Sequence, residues 1–599
     1  MYYVVSNGVT SSGKMLYSDT MCVYYGGEAT GTTVGYQGKM YISSGGLAKY
    51  TTVSNGGHVV VSHSGIVTST TVFYSGGMSV LSGGEASDTT ISGGYLSRGH
   101  LDVYGRVTNT KVLNGYIYVG NGGIATSTFL YHNASLTITP EGEADITTAS
   151  SGGKIYISGG KATSTMVSSG GSEIIYSGGL SLSATIYSGG EQHISEGGVA
   201  SSAIISSGGT VFISSGGVTS DSMVDFGGYE IVLEGAKSYG ATMSGTHSPE
   251  DRPNANLARQ TVQHGEAYDT ELLDHGRQFL NGGKAYDTEV FEGGRQVANV
   301  GGIAYRTKVN SGGDISVRTS GKTESALIYR GGAERVSAGG LSVSATIYSG
   351  GEQHISAGGV ANSAIISSGG TAVVSSGGIA SDTILSGAHL YVSSGGSASD
   401  TTITDGGLIR ISSSGSASDT LVQAGGIAEA LDGGKLIDTT VEAAGFVDVQ
   451  NGGIFDGLII KKGASAFFDT DNGTTVINGI NHNRTDGSST FYISSGIASG
   501  LYINNSMYWS GSTITDGYTA YNTLVDGSGR FSVAGGATAS GTIVNSGGTQ
   551  NIMGKDYYDD SKENIIAYSI GSAVGTIVMS GGIEQVESGG IASGTILSG

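Results

Sequence analysis

Paired glycines recur along this chain at two alternating steps. Pairs open at Gly178, Gly189, Gly197, Gly208, Gly216 and Gly227, so the spacings run 11, 8, 11, 8 and 11 and the period is 19 residues. The same beat runs from Gly293 through Gly301 and Gly312, and from Gly331 through Gly339, Gly350, Gly358, Gly369 and Gly377. So short a repeat constrains the fold strongly. One unit cannot bury an apolar face by itself, so it must stack on copies of itself.

A unit reads GG-φ-A-x-x-T-x-φ-x-x-GG-x-x-x-φ-x-x, with φ aliphatic. In the long arm Val199, Ala203 and Ile205 lie at even spacing, as do Val211 and Ile213 in the short arm. That is the period of a strand with one buried face. Two or three short strands in each 19-residue turn describe one coil of an all-β parallel β-helix. The glycine pairs supply positive φ at the corners and let coils approach where a Cβ would clash.

Composition agrees. Glycine makes up 107 of 599 residues, and each would cost roughly 0.5–1 kcal/mol against Ala inside a helix. Only 3 prolines are present, which excludes collagen. At 38% hydrophobic residues, disorder is excluded as well. The net charge of −21, from 28 basic and 49 acidic residues, provides no basic face for nucleic acid. The single cysteine, Cys22, permits neither an intrachain disulfide nor a Cys-based zinc site. No apolar run approaches the ~18 residues of a spanning helix. Met1 to Gly8 shows no secretory signal.

The beat divides the chain into six stretches: 1–24, an N-terminal cap or first coil; 25–246, repeats; 247–262, an excursion loop holding Pro249 and Pro253; 263–453, repeats; 454–530, distorted coils or a small insertion; and 531–599, repeats with an acidic loop at 554–566. Segment 178–209 recurs at 339–370 with three differences, Leu182/Val343, Glu196/Ala357 and Ser201/Asn362. Such near-identity implies a duplicated module and argues against a unique active site within it. His193 and His354 fill the same duplicated slot and read as surface residues.

Residues one period apart should lie above one another. Tyr268, Tyr286 and Tyr305, at spacings of 18 and 19, therefore form an expected tyrosine ladder, with Asp269, Asp287 and Arg306 beside it. This strip either stabilises stacking or meets sugars or a second copy of the chain. Asp382, Asp400 and Asp419, each in an A-S-D-T setting, stack likewise. Carboxylates ~4.8 Å apart repel by about 1 kcal/mol in water, so they splay into solvent or share a loosely held Ca²⁺. No other cofactor is expected. The acids fall at repeat-equivalent positions, and no G-x-S-x-G, H-E-x-x-H or P-loop pattern appears, so the chain does not read as an enzyme.

Units such as GGKAYDTEVFEGGRQVANVGGIAYRTKVNSGG (282–313) resemble the passenger repeats of AIDA-type autotransporter adhesins of Gram-negative bacteria. The resemblance covers 25–246 and 263–453, and more weakly 531–599. It implies a right-handed β-helix displayed at the outer membrane, acting in adhesion, self-aggregation and biofilm formation. The implied partners are the chain itself and glycans or proteins of host or bacterial surfaces. A heptosyltransferase modifies Ser or Thr in some relatives. The signal peptide and C-terminal translocator barrel of the family are not visible in this sequence, which reads as a passenger alone. The resulting expectation is an extracellular adhesin and self-association rod working through multivalent weak contacts. Two alternatives are a structural filament or surface-layer protein and a polysaccharide-active β-helix enzyme.

Overall fold

The computed structural model describes residues 1–94, 97–245, 257–449, 452–461, 463–468, 474–477, 480–481, 492–493, 496–499, 502–504, 512–514, 518–526, 529–558 and 565–598. Among them there are strands and turns and no helix. Two compact units are present, residues 1–297 with 301–305, and residues 298–300 with 306–599. Each is a parallel β-solenoid built from turns of about 19 residues.

The coil around 189–209 shows the plan. Its short arm is Glu191–Ile194, and its long arm holds Val199–Ser201 and Ile204–Ile205. Every strand of this coil pairs in parallel with its equivalents one coil away. Glu191 lies opposite Ser172 and Thr210, Val199 opposite Leu180 and Val218, and Ile204 opposite Thr185 and Met223. The duplicated coil of the second unit repeats this, with Glu352 opposite Ala333 and Thr371 and Ile365 opposite Thr346 and Ile384. Pairing between successive coils lets the backbone amides of each turn bond to the next, and this satisfies the demand that buried N–H and C=O groups find partners.

Each glycine of a pair is required for a different reason. Gly208 adopts φ +76°, a left-handed conformation that costs an L-residue steric strain. Gly209 has no such φ, but a Cβ there would stand 2.3 Å from the Ile186 carbonyl oxygen of the neighbouring coil. One glycine turns the chain and the other admits the adjacent backbone.

The long arm departs from the simple alternation expected for Val199, Ala203 and Ile205. Ala200, Ala203 and Ile205 are buried, whereas Val199 points outward and is half-exposed. The cause is Ser202, which sits at φ 55° between the two strands. A left-handed residue there resets the phase, so even positions face inward before it and odd positions after it. Val211 and Ile213 both lie in the core, as their spacing implies.

Within the stretch 247–262, whose residues up to 256 lie outside the described set, the coil resumes at the strand Arg259–Gln263, paired to Tyr229–Val232, so the excursion ends before residue 259 and not at 262. Described strands within 454–530 continue the parallel stacking at longer steps. Ile454 lies opposite Thr475, Thr475 opposite Ile497, and Ile497 opposite Thr519. In the acidic 554–566 stretch, Lys555–Tyr558 pairs antiparallel with Ile565–Ser569.

Candidate functional site

The outward positions of the long arm carry the expected tyrosine ladder. Backbone register sets Tyr268 opposite Tyr286 and Tyr286 opposite Tyr305. Their rings stack with centroids 4.9 Å apart and interplanar angles of 11° and 6°. A fourth rung, Tyr239, extends the stack at 4.8 Å. Sequence spacing missed it because 29 residues, including the excursion, separate it from Tyr268. The signal was nonetheless present, since Lys237-Ser238-Tyr239 repeats the pattern of Glu266-Ala267-Tyr268.

Stacking decides what this strip can offer. Both faces of Tyr268 and of Tyr286 are covered by neighbouring rings, so these residues expose edges and not the faces on which a sugar ring would stack. The Tyr268 hydroxyl donates to Glu266 at 2.7 Å. Lys237 approaches the same carboxylate at 3.4 Å. The Tyr268 bond, more than Lys237, holds the Glu266 carboxyl below its ordinary range. Burial and that bond push the Tyr268 hydroxyl up.

The charged neighbours occupy the phase-resetting turn. Asp269, Asp287 and Arg306 have φ of 51°, 56° and 52°. Their amides donate to the carbonyls of Tyr286, Tyr305 and Glu324 respectively. Asp382, Asp400 and Asp419 lie at the same turn, at φ 52°, 51° and 53°, and are exposed. Aspartate and asparagine tolerate this conformation better than most L-residues, so the turn itself accounts for the aspartate column. Among the described residues no three His, Cys, Asp or Glu side chains are grouped to hold a metal ion. His193 and His354 bond in the same way to Glu191 and Glu352, at 2.9 and 3.0 Å.

The interior holds polar groups that sequence reasoning did not anticipate. Glu173 is wholly buried and accepts hydrogen bonds from Thr165 at 2.9 Å, Ser181 at 3.0 Å and Gln192 at 2.6 Å. Glu334 repeats the arrangement with Thr323 at 2.6 Å, Ser342 at 3.0 Å and Gln353 at 2.8 Å. Glu230 forms a third cluster with Ser222, Ser238 and Gln260. Burial pushes the carboxyls of Glu173 and Glu334 up, against the opposing pull of their three donors. A readable signal existed. Ser181, Ser238 and Ser342 replace the alanine of the long arm at each of these coils, and a Gln follows each Glu in the next coil. A second interior column, Thr32, Thr51, Thr70, Thr89, Thr110, Thr128 and Thr147, has buried hydroxyls without hydrogen-bond partners. Elsewhere that column carries Ala203 and Ala364.

A family model described as the adhesin of the bacterial autotransporter system, probable stalk, matches residues 482–548. The match falls largely within 454–530, not in the regular arrays that carried the resemblance. A solved TibC-catalysed, hyper-glycosylated TibA fragment is 30% identical, over 52% of this chain and 98% of that fragment, with a TM-score of 0.38. No curated protein matches the chain. The glycine-paired unit, the parallel solenoid of about 19 residues per turn and the matched stalk family place the chain among the AIDA-type autotransporter adhesin passengers.

Proposed function

We propose that the chain works as a surface-displayed stalk whose outward ladders bind other copies of itself, and through them neighbouring cells, by many weak contacts. One observation carries this reading: outward groups repeat at one-coil spacing, as the Tyr239, Tyr268, Tyr286 and Tyr305 stack illustrates. A second copy with the same repeat can match such a column rung for rung, so weak contacts sum through effective concentration. The ladders are pre-ordered by the backbone, which lowers the entropy lost on contact. Surface hydroxyls already bond along the column, as Ser220 does to Ser201 at 3.0 Å and Ser381 to Asn362 at 2.8 Å. The reading is non-enzymatic and places the chain at the bacterial cell surface. Outward hydroxyls of this kind are acceptors for a sugar-transferring enzyme, which the intact mass of the exported chain would reveal.

The test is settling of cells that display the chain, compared with cells displaying a variant in which Tyr268, Tyr286 and Tyr305 are serine. Slower settling with unchanged surface amount is expected. Equal settling would remove the tyrosine column from the contact, and failure of the unaltered chain to settle cells would overturn the self-association reading.

A further inference from the structure

On the outward face of the first unit's short arm, successive coils place His58, Gly77, His100 and Tyr116 in one column. Gly77 is the rung without a side chain, and the two histidines lean toward the gap it leaves. Their ring centroids are 6.1 Å apart, against the roughly 9.6 Å that two coil spacings of ~4.8 Å would give. A Cβ at residue 77 would lie 2.6 Å from His58 Nδ1, 2.6 Å from His100 Nε2 and 2.5 Å from His100 Cε1. Unlike Gly208, Gly77 has no positive φ that calls for glycine. Its missing side chain matters for the space between the rings.

The rings are held from behind. His58 Nε2 lies 3.2 Å from Ser79 Oγ, which leaves Nδ1 toward the gap. His100 stacks on Tyr116 at 5.4 Å and 12°. A hydrogen bond on one imidazole nitrogen commonly orients the other for a metal. Around the pair, the Asp102 carboxylate adds negative charge, while Lys39 opposes it.

We propose that His58 and His100 form a two-imidazole site for a late first-row divalent cation, with Zn²⁺ as the reference ion, at the position a residue-77 Cβ would fill. Imidazole nitrogen suits Zn²⁺, Cu²⁺ and Ni²⁺. Zinc–nitrogen bonds run at about 2.0–2.1 Å, so each ring needs to move by about half an ångström and turn a lone pair toward the ion. Both side chains are only partly buried, so a shift of that size displaces no packed core residue. Two protein donors leave the remaining coordination positions to water.

The experiment is isothermal titration of the full chain with Zn²⁺ at pH 7.5, after EDTA treatment and buffer exchange. The controls are Gly77→Ala, His58→Ala, His100→Ala and the double variant His193→Ala/His354→Ala. One equivalent should bind the unaltered chain and the double variant alike. Gly77→Ala and each single histidine variant should bind at least tenfold more weakly, with metal-free melting temperatures close to that of the unaltered chain. Equal binding by Gly77→Ala, or loss only in the His193/His354 variant, would overturn the site. A variant whose metal-free circular dichroism is altered is replaced by His58→Gln or His100→Gln, for which the same loss is expected.

Discussion

The buried glutamates make the stability of particular coils depend on pH, and the direction follows from their surroundings. Glu173 and Glu334 are wholly buried, and burial raises their carboxyl pKa above the ordinary 4.5. A carboxyl that binds its proton more tightly folded than unfolded gives a stabilisation complete below the unfolded value. That stabilisation is lost as pH rises through the folded value. Each unit of upward displacement corresponds to about 1.4 kcal/mol per glutamate at pH values above both. Replacing both by glutamine, as Glu173→Gln/Glu334→Gln, keeps size and shape and imitates the protonated acid. The Thr165 and Ser181 hydroxyls both donate and accept, and the Gln192 amide can turn its oxygen toward residue 173, so these neighbours need only reorient. Because a solenoid unfolds locally, the informative assay is amide hydrogen exchange of peptides from 165–194 and 323–355 between pH 5 and pH 9, corrected for intrinsic rates. In the unaltered chain protection in these peptides should decline as pH rises, while the variant should hold it, with coils around 39–61 unaffected in both. A decline of the same size in the variant would refute the account. A variant less protected at pH 5 than the unaltered chain would also refute it.

Three further outcomes are expected. Thr70→Val removes a buried hydroxyl that has no hydrogen-bond partner and should stabilise its coil by about 1 kcal/mol, within the ~1–3 kcal/mol that an unsatisfied buried polar group costs, read as a higher local exchange protection. Gly209→Ala should destabilise more than Gly208→Ala. The first drives a Cβ to 2.3 Å from the Ile186 carbonyl oxygen. The second meets mainly left-handed strain of ~1–2 kcal/mol and the Ser188 hydroxyl at 2.8 Å, so urea midpoints of the two variants should differ in that order. Millimolar Ca²⁺ should leave the melting temperature unchanged, because Asp382, Asp400 and Asp419 are exposed and their position is accounted for by the turn. An upward shift abolished by Asp400→Asn would show instead that the column holds the ion.

The period, the parallel stacking and the tyrosine column were legible in the residues, because a solenoid maps sequence spacing onto spatial neighbourhood one coil at a time. The same logic made Val211 and Ile213 readable as core. It failed for Val199, since a left-handed Ser202 shifts the inward phase and serine carries no marker of that conformation. It failed for Tyr239, since an excursion breaks the count that links it to Tyr268.

Within the regular arrays, sequence alone could establish which residues share a column, since there that depends only on the repeat length. Tertiary structure decided which side of the wall each column faces and how closely neighbouring side chains approach. Stacking covers the ring faces of Tyr268 and Tyr286 and leaves their edges outward. The alternation of the short-arm strand Ser172–Ile175 carries Glu173 into the interior, where Thr165, Ser181 and Gln192 satisfy it. Those outcomes depend on burial and on the ~4.8 Å gap between coils, quantities that exist only once the chain has wound upon itself.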